Sequence, residues 1–339
     1  MKTLFCVLNW GLGHASRSSV LIQRLIQEDH EVIIASDGFA LDHLKKRFPN
    51  QSFLELPPYN VHYTSNNMII NMAFQSRKIL RAIEDEHSVV SAFCKEHTIE
   101  QIISDNRYGC YHRDIPSHFL SHQLRPIVPT PQFIARLFYK TLDHYMEPFT
   151  SLWVPDHAPP DHLSGKLSTH SRDKTYTGFL SDLASYSIPK EERSYSYDIG
   201  LMLSGPEPTR SQLEERLTNL LEPLNHLQIV LVRGLPNKGP IPLDLPPHIH
   251  VYNHLYGEEL AAKLNACKTL ICRSGYSTLM DLLCLDIDAL VIPTPGQTEQ
   301  VYLAKQVAKN SNYTMLSQKE LSHDRLAKAL AALPAQLRL

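Results

Sequence analysis

Two glycine-containing turns in the second half of the chain are suited to hold a phosphorylated sugar. They lie in Cys272–Asp281, which reads CRSGYSTLMD, and in Pro293–Gln300, which reads PTPGQTEQ. Each turn follows a short apolar run and leads into a helical pattern, and ligands bind at such carboxyl ends of parallel strands. Glycine lets the backbone approach a phosphate, while a helix start offers N–H groups and a positive dipole end. Asp281, Glu299 and Gln300 could hold sugar hydroxyls.

A third turn of this kind, Ser204-Gly205, precedes the helical pattern that begins at Arg210. Successive N–H groups in such a turn can form a concave anion site, although its prolines are equally typical of an ordinary loop. We expect the backbone N–H groups at Ser204–Gly205 and Ser274–Tyr276 to bind a diphosphate. Preset N–H groups and helix dipoles can stabilise a leaving diphosphate without a metal ion.

The first half carries a candidate catalytic pair. Asn9–Arg17 reads NWGLGHASR, follows the first predicted strand and precedes the first predicted helix. It lacks the third glycine of a dinucleotide fingerprint, but His14 could act as a base near neutral pH or simply order the loop. Asp105, at the end of another predicted strand, could deprotonate an acceptor hydroxyl, orient His14 or cap a turn. His122 is a weaker candidate.

Composition bounds the class of protein. The 339 residues, 43% apolar and 20% charged, suffice for two globular domains. A net charge of −2 excludes a global basic field for nucleic acid, and six cysteines without a CxxC pair indicate reduced thiols. We expect Thr3–Leu8 to be a strand rather than a signal peptide, and no run approaches the roughly 20 apolar residues of a membrane helix. The prediction is a cytoplasmic protein.

Short β-rich runs alternate with helical patterns, which predicts an α/β fold with parallel, doubly wound sheets. We predict a Rossmann-like domain at 1–155, a linker at 156–196, a second Rossmann-like domain at 197–320, and a helix at 321–339 that could pack against either domain. The predicted strands of the first half are Thr3–Leu8, Glu31–Ala35, Ser52–Leu56, Ile99–Ser104, Ile127–Pro129 and Leu152–Val154.

Two further features have a chemical and a plain explanation. Asp286-Ile287-Asp288 has the Asp-x-Asp form with which metal-dependent sugar transferases hold a cation, but it falls at the amino end of a predicted strand. We therefore expect no metal site there. Segments 56–83 and 115–142 contain no Asp or Glu and mix apolar with basic residues. Such segments favour either peripheral contact with anionic lipid at the inner face of the membrane, or interior helices with snorkelling basic ends.

Taken together, these residues resemble the GT-B glycosyltransferases of the family-28 type, whose best-known member adds N-acetylglucosamine to the lipid-linked peptidoglycan precursor. The resemblance is specific over about Tyr252 to Ala304, and Cys272-Arg273-Ser274-Gly275 matches the family's second-domain turn. Val301 departs from the family's pair of glutamines, and Glu299-Gln300 is instead similar to the Glu-Gln of related antibiotic and glycolipid transferases.

The resemblance implies two Rossmann-like domains that face each other across a cleft. It also implies an inverting, metal-independent transferase that needs no cofactor. Such an enzyme moves a sugar from a nucleotide-sugar to a hydroxyl of a glycan or glycolipid, and the expected donor is a UDP-sugar. His14 and Asp105 become the catalytic candidates. The implied donor-binding residues are Gly13, Ser204, Gly205, Arg273, Ser274, Gly275, Tyr276, Ser277, Thr278, Asp281, Gly296, Glu299 and Gln300.

Two alternatives stay open at this point. Gly13-His14-Ala15-Ser16-Arg17 also resembles the UDP-sugar hydrolase of pseudaminic acid synthesis, which shares the two-domain fold. The other alternative is a subunit that binds a sugar nucleotide without catalysis.

Overall fold

The computed structural model describes residues 1–59, 68–236, 245–335, 337 and 339, without the side chains of residues 12, 68–74 and 76. The chain divides into two compact units, Met1–Leu180 and Ser181–Leu339. The division falls inside the stretch 156–196 that the composition marks as a linker.

The first unit is built on a seven-stranded parallel sheet with strand order β3-β2-β1-β4-β5-β6-β7. Because the order reverses between β1 and β4, the crossover helices cover both faces. In chain order its elements are β1 Lys2–Val7, α1 Leu12–Gln27, β2 Glu31–Ser36, α2 Gly38–Arg47, β3 Ser52–Glu55, α3 Met68–Glu96, β4 Gln101–Asp105, β5 Ser117–Leu120, α4 Gln132–Met146, β6 Ser151–Val154 and β7 Lys174–Tyr176.

Strand β1 shows why helices cover both faces of this sheet. Successive side chains of a strand point to opposite faces, so an apolar run with no polar alternation can be buried on both. Phe5 and Val7 pack with residues of α1 and α2. Leu4 and Cys6 pack with residues of α3 on the other face.

The second unit carries a six-stranded parallel sheet with strand order β10-β9-β8-β11-β12-β13. The helix near the C-terminus, α9, contributes Leu326 and Leu330 to the core of this unit, together with Leu217 of α5. Its elements are β8 Tyr197–Met202, α5 Thr209–Leu221, β9 Ile229–Val232, β10 Ile249–Tyr252, α6 Gly257–Asn265, β11 Cys267–Cys272, α7 Tyr276–Leu285, β12 Ala289–Val291, α8 Thr298–Val307, β13 Tyr313–Met315 and α9 His323–Ala331.

The structure differs from the sequence expectations at three elements. Ile127–Pro129 is not a strand, because the prolines around it remove the N–H groups that a ladder needs; the strand is Ser117–Leu120, ten residues earlier. The expected linker contains β7, which pairs in parallel with β6. Helix α1 begins at Leu12 rather than near Ser18, which places His14 in its first turn.

Candidate functional site

The first cluster of functional side chains lies at the carboxyl edge of the first sheet. Strands β1 and β4 are parallel neighbours, with Val7 opposite Asp105 in the register. Gly11, at φ 83°, turns the chain from β1 into α1. Residues one helical turn apart share a face, so His14 and Arg17 project from α1 together toward the end of β4.

Asp105 is the centre of this cluster and is completely buried. Its Oδ1 lies 3.0 Å from Nδ1 of His14, and its Oδ2 accepts hydrogen bonds from Arg17 Nε at 3.0 Å and from Ser18 Oγ at 2.7 Å. Arg17 Nη2 makes a further short contact with Oδ1. A carboxylate held by this many donors has a fixed orientation and keeps its negative charge.

His122 joins the cluster through Arg17, whose Nη1 lies 2.9 Å from Nδ1 of His122. Since a guanidinium only donates, Nδ1 of His122 accepts, and the ring hydrogen sits on Nε2. Arg17 Nη2 lies 2.9 Å from Nδ1 of His14 as well, in competition with the contact between His14 and Asp105. Only the tautomer of His14 that has its ring hydrogen on Nδ1, directed to Asp105, leaves on Nε2 the lone pair that a base needs.

The charges of the cluster distinguish the two catalytic candidates. Burial lowers the pKa of His14, the Arg17 charge lowers it further, and the Asp105 carboxylate opposes both. Burial alone would raise the pKa of Asp105, but Arg17 and His14 hold it well below its ordinary value. At neutral pH the cluster therefore contains a charged carboxylate and a neutral imidazole, an arrangement in which His14 rather than Asp105 can accept a proton.

A second buried network fixes the neighbouring loops. Arg107 donates to Glu86 Oε2 at 2.8 Å, to Asp37 Oδ1 at 2.6 Å and to the Pro57 carbonyl at 2.7 Å. Asn9 Nδ2 donates to the other oxygen of Asp37 at 3.0 Å. Asp37 is therefore engaged in holding the strand ends together.

The predicted donor turns lie along one edge of the second sheet. Strands β8, β11 and β12 are parallel neighbours, so the turns that follow them stand side by side. Ser274 Oγ donates to the Gln300 carbonyl at 2.9 Å, which links the turn after β11 to α8. Gly205, at φ 104°, and Gly296, at φ 83°, adopt backbone conformations that favour glycine.

An unsatisfied hydroxyl marks the middle of this edge. Thr294 is 2% exposed, and its Oγ1 has no hydrogen-bond partner among the described residues. That oxygen lies 3.8 Å from the position of a Cβ on Gly205. A Cβ on Gly275 would meet nothing closer than Thr278 Oγ1 at 3.9 Å, so the start of α7 is sterically open. Buried hydroxyls normally find partners, which makes this group a candidate contact for a bound ligand.

Ser277 and Thr278 are each neighbours of Asp281 on the surface of α7, because residues three or four positions apart in a helix lie one turn from each other. Asp281 Oδ1 accepts a hydrogen bond from Ser181 Oγ at 2.6 Å. Burial raises the pKa of Asp281 to about 7, the Asp182 charge adds to the increase, and the Ser181 hydrogen bond opposes it. This carboxyl group titrates near neutral pH.

Two predicted donor ligands form hydrogen bonds to the backbone and side chains of the turns. Arg273 is buried and donates to the carbonyls of Thr209 at 2.8 Å and of Ile292 and Pro293 at 3.2 Å. Gln300 accepts from the Thr294 N–H at 2.8 Å and donates to Gln297 Oε1 at 2.7 Å. These hydrogen bonds support the turns, whereas Arg273 Nε has no partner among the described residues. That both side chains contact the donor stays a prediction.

The remaining predicted residues are distributed between the units. Gly13 lies in the first turn of α1, beside His14 and in the first unit rather than the second. Tyr276 is buried at the start of α7, while Glu299 is partly exposed at the start of α8.

The two acids of the Asp-x-Asp sequence form ion pairs with the side chain of Lys190. Asp286 ends α7 in a left-handed conformation at φ 48°, and Asp288 precedes β12. Lys190 Nζ lies 3.3 Å from Asp286 Oδ1 and 2.8 Å from Asp288 Oδ1. In the described part of the chain, no three His, Cys, Asp or Glu side chains converge as a metal site.

Sequence reasoning missed several residues that the structure brings into these clusters. Arg17 had a signal, since its spacing of three from His14 is one helical turn. Ser181 had none, because it lies 100 positions from Asp281 in the chain. Thr294 was part of a predicted turn, but only the fold reveals its buried, unpartnered hydroxyl.

Family models match both halves of the chain. Residues 209–336 match the glycosyltransferase family 28 C-terminal domain. Residues 1–118 match glycosyl transferase family 1.

Two curated relatives resemble parts of the chain. Both are named UDP-N-acetylglucosamine--N-acetylmuramyl-(pentapeptide) pyrophosphoryl-undecaprenol N-acetylglucosamine transferase. The protein from Desulforudis audaxviator is 31% identical over 30% of this chain and 25% of its own length. The protein from Alkaliphilus metalliredigens is 28% identical over 41% of this chain and 42% of its own length. The chain thus aligns with less than half the length of these relatives.

Solved structures resemble the whole chain. The glycotransferase of kitacinnamycin covers 99% of this chain with 92% of its own, at a TM-score of 0.69 and 16% identity. MurG of Acinetobacter baumannii aligns over 99% of this chain and 94% of its own length, at a TM-score of 0.61 and 13% identity. The chain has the GT-B fold, as the sequence predicts. No helix of the described residues combines the length and hydropathy that a bilayer-spanning segment needs.

Proposed function

We propose that this protein is an inverting, metal-independent glycosyltransferase that moves a sugar from a UDP-sugar to a hydroxyl acceptor. The observation that carries the proposal is the 3.0 Å contact between His14 and the buried Asp105, in a chain whose residues 209–336 match the family 28 C-terminal domain. Neither half would suffice alone, because transfer needs both a held donor and an activated acceptor.

In this proposal the second unit holds the donor. The backbone of Ser274–Tyr276 and of Ser204–Gly205 takes the diphosphate, with the Thr294 hydroxyl as a further donor to it. Asp281 accepts hydrogen bonds from the ribose hydroxyls, and Glu299 contacts the sugar. Negative charge grows on the diphosphate as the glycosidic bond breaks, so preset N–H groups and the α7 dipole stabilise the transition state more than the ground state.

His14 acts as the general base. Its Nε2 removes the acceptor proton while the acceptor oxygen attacks the anomeric carbon from the side opposite the diphosphate, which inverts the configuration. Asp105 orients the ring and stabilises the imidazolium that forms. Arg17 keeps His14 neutral before the reaction, because its charge opposes a second cation nearby.

A metal ion has no assigned role in this scheme. Lys190 occupies the acidic pair Asp286 and Asp288, which would otherwise resemble a cation site. The neutralisation of the leaving diphosphate falls to backbone N–H groups and the helix start.

Hydrolysis of the nucleotide-sugar is the second candidate, since a neutral His14 oriented by Asp105 could equally deprotonate water. A hydrolase would release free sugar and UDP at its full rate in the absence of an acceptor. A transferase, in contrast, would release UDP rapidly only when the acceptor hydroxyl is present.

The acceptor is proposed to be a lipid-linked or glycan hydroxyl near a membrane. The curated relatives are named for a pyrophosphoryl-undecaprenol acceptor. Helix α4 presents Phe133, Ile134 and Leu137 to solvent, with exposed fractions of 73%, 43% and 68%. Arg136 and Lys140 are exposed on the same helix, and segment 115–142 contains no acid. An apolar ridge beside basic side chains is attracted to an anionic bilayer surface.

The test begins with a thermal-shift panel of UDP-, GDP- and dTDP-sugars, because a ligand that binds the native state raises its stability. UDP release is then measured with and without candidate acceptors. Replacement of His14 by Gln should lower kcat by about 10²–10⁴-fold while donor affinity is kept. His323, half-exposed at the start of α9, gives a matched control as His323→Gln. The proposal fails if no nucleotide-sugar binds, or if His14→Gln turns over like the control.

A further inference from the structure

Residues 181–193, here called the strap, are bound to helix α7 near its middle and at its C-terminal end. Lys190 reaches Asp286 and Asp288, as described above, and Arg193 Nη1 donates to the Asp286 carbonyl at 3.0 Å. Asn265 Nδ2 of α6 donates to the strap carbonyl of Tyr186 at 2.8 Å. These contacts fix the strap against the helix that carries Asp281.

The first residue of the strap contacts the proposed ribose ligand. Ser181 is 6% exposed, and its Oγ donates to Asp281 Oδ1 at 2.6 Å. The same Oγ accepts from the Leu183 N–H at 3.2 Å, which orients the hydroxyl toward the carboxylate. An ionised carboxylate has about four acceptor positions, so this bond leaves acceptor capacity for a ligand.

We propose that Ser181 is a positioning residue that keeps the Asp281 carboxylate oriented and ionised for donor binding. The inference rests on the proposed donor role of Asp281. The strap would thus contribute to donor affinity in addition to the residues of the turns, and this contribution to affinity would depend on pH.

The surroundings of Asp281 explain why a hydroxyl matters there. Asp182, also in the strap, raises the pKa of the Asp281 carboxyl, while Cys272 of β11 and Cys284 of α7 are the thiols that interact with it. Against burial and the Asp182 charge, the Ser181 hydrogen bond lowers the pKa and so favours the ionised form. Loss of the hydroxyl should therefore raise the pKa and protonate Asp281 at neutral pH.

The test measures donor affinity by calorimetry between about pH 5.5 and 8.5, a range that brackets the Asp281 carboxyl. An intact nucleotide-sugar is used, because a diphosphate diester keeps a constant charge over this range, unlike UDP. For the native protein, affinity should fall as pH drops through about 7. Ser181→Ala should move this midpoint upward by about one pH unit, so that affinity is about fivefold weaker near pH 7 and nearly native at the alkaline end.

Three variants separate the hydroxyl from other effects. Ser181→Thr retains a hydroxyl and should restore the native midpoint. Asp281→Asn should abolish the pH dependence. Ser185→Ala, at an exposed strap position, should behave like the native protein. The inference is overturned if Ser181→Ala binds like the native protein, or weakens binding by the same factor at every pH, as a purely structural role would.

Failure of the proposed function would give a different result. If no nucleotide-sugar binds the native protein, or if Asp281→Asn binds with native affinity and pH dependence, the donor assignment of Asp281 is wrong and the inference falls with it. Carboxyl NMR of the unliganded protein, compared with Asp281→Asn, identifies the Asp281 resonance. An unchanged titration midpoint in Ser181→Ala would overturn the inference even where the donor binds.

Discussion

A buried carboxylate can serve chemistry in two ways, and its partners decide which. Asp105 has a charged arginine, a serine hydroxyl and a histidine on its two oxygens, so it remains ionised and is a poor proton acceptor. Burial and a neighbouring acid raise the pKa of Asp281 to about 7, against the single hydroxyl bond from Ser181. The first is suited to orient a base, and the second to bind hydroxyl groups.

The raised pKa of Asp281 should make the protein less stable as pH rises. Between the ordinary value of 3.8 and about 7, the native state holds a proton that the unfolded chain has released, so the free energy of unfolding falls with pH. Asp281→Asn removes this titration. We expect the free energy of unfolding of the variant to exceed that of the native protein by about 1–3 kcal/mol at pH 8. Its Tm should also fall less between pH 5 and 8.

Thermal unfolding monitored by calorimetry at the two pH values measures this difference. Asp114→Asn is the control, since Asp114 has a side chain that is 89% exposed. Equal pH dependence in native protein and Asp281→Asn would contradict the expected titration.

At the residue scale the sequence predicted His14 in the turn after the first strand and Asp105 at the end of another strand, and the structure places both beside those strand ends. It did not predict which candidate keeps its charge, since that depends on Arg17 packing onto Asp105 from a helix 88 positions away. Nor did it predict that Arg273 and Gln300 hydrogen-bond to the loops of the site, and the donor role of both residues stays a prediction. Long-range partners carry no local signal.

At the scale of elements, glycine has two distinct uses in the second unit. Gly275 lies at φ −68°, where other residues are tolerated, and a methyl group there has room. Gly200 lies in β8, where a methyl group would overlap Leu270 and come within 2.7 Å of Cys267 Sγ. The first glycine leaves space for a ligand, and the second leaves space for the core.

Replacement of each glycine by alanine should separate these uses. Gly275→Ala should change stability little but weaken nucleotide-sugar binding about tenfold or more, because the methyl group occupies the approach to the start of α7. Gly200→Ala should lower the free energy of unfolding by about 1–3 kcal/mol and leave donor affinity of the folded protein intact. Urea unfolding and calorimetric titration measure the two effects. The same pattern of loss in both variants would refute the distinction.

Strands with an apolar run of their own were predictable from the sequence, whereas the short strands β5 and β7 were not. β1 and β11 read as apolar runs ahead of a turn, and the structure confirms both. β5, which reads SHFL, and β7, which reads KTY, show no apolar run of their own. Their conformation comes from pairing with β4 and β6, which only the assembled sheet provides.

At the scale of the whole molecule, the proposed lipid contact predicts binding to vesicles that depends on α4. Phe133→Ser with Leu137→Ser should lower binding to anionic phosphatidylglycerol vesicles by about tenfold or more, because both exposed side chains lose their apolar burial. Arg136→Gln with Lys140→Gln should lower binding to anionic vesicles alone, by about fivefold for each charge. Sedimentation with vesicles measures both.

The control for the vesicle experiment is Phe39→Ser, at an exposed position of α2. Native protein that binds anionic and neutral vesicles equally, or α4 variants that bind like Phe39→Ser, would rule out this surface. The other acid-free segment, 56–83, has three exposed basic side chains, those of Arg77, Lys78 and Arg81. Its residues 60–67 lie outside the described part of the chain.

The strap sets the minimum length of a separable C-terminal half. A fragment that starts at residue 197, where the sequence places the second domain, would begin with β8 yet lack Lys190, the counter-ion of two neighbouring acids. It would also lack the hydroxyl partner of Asp281. Cutting before Ser181 keeps both, so dissection of this protein, by protease or by gene truncation, should respect residue 181 rather than the first strand.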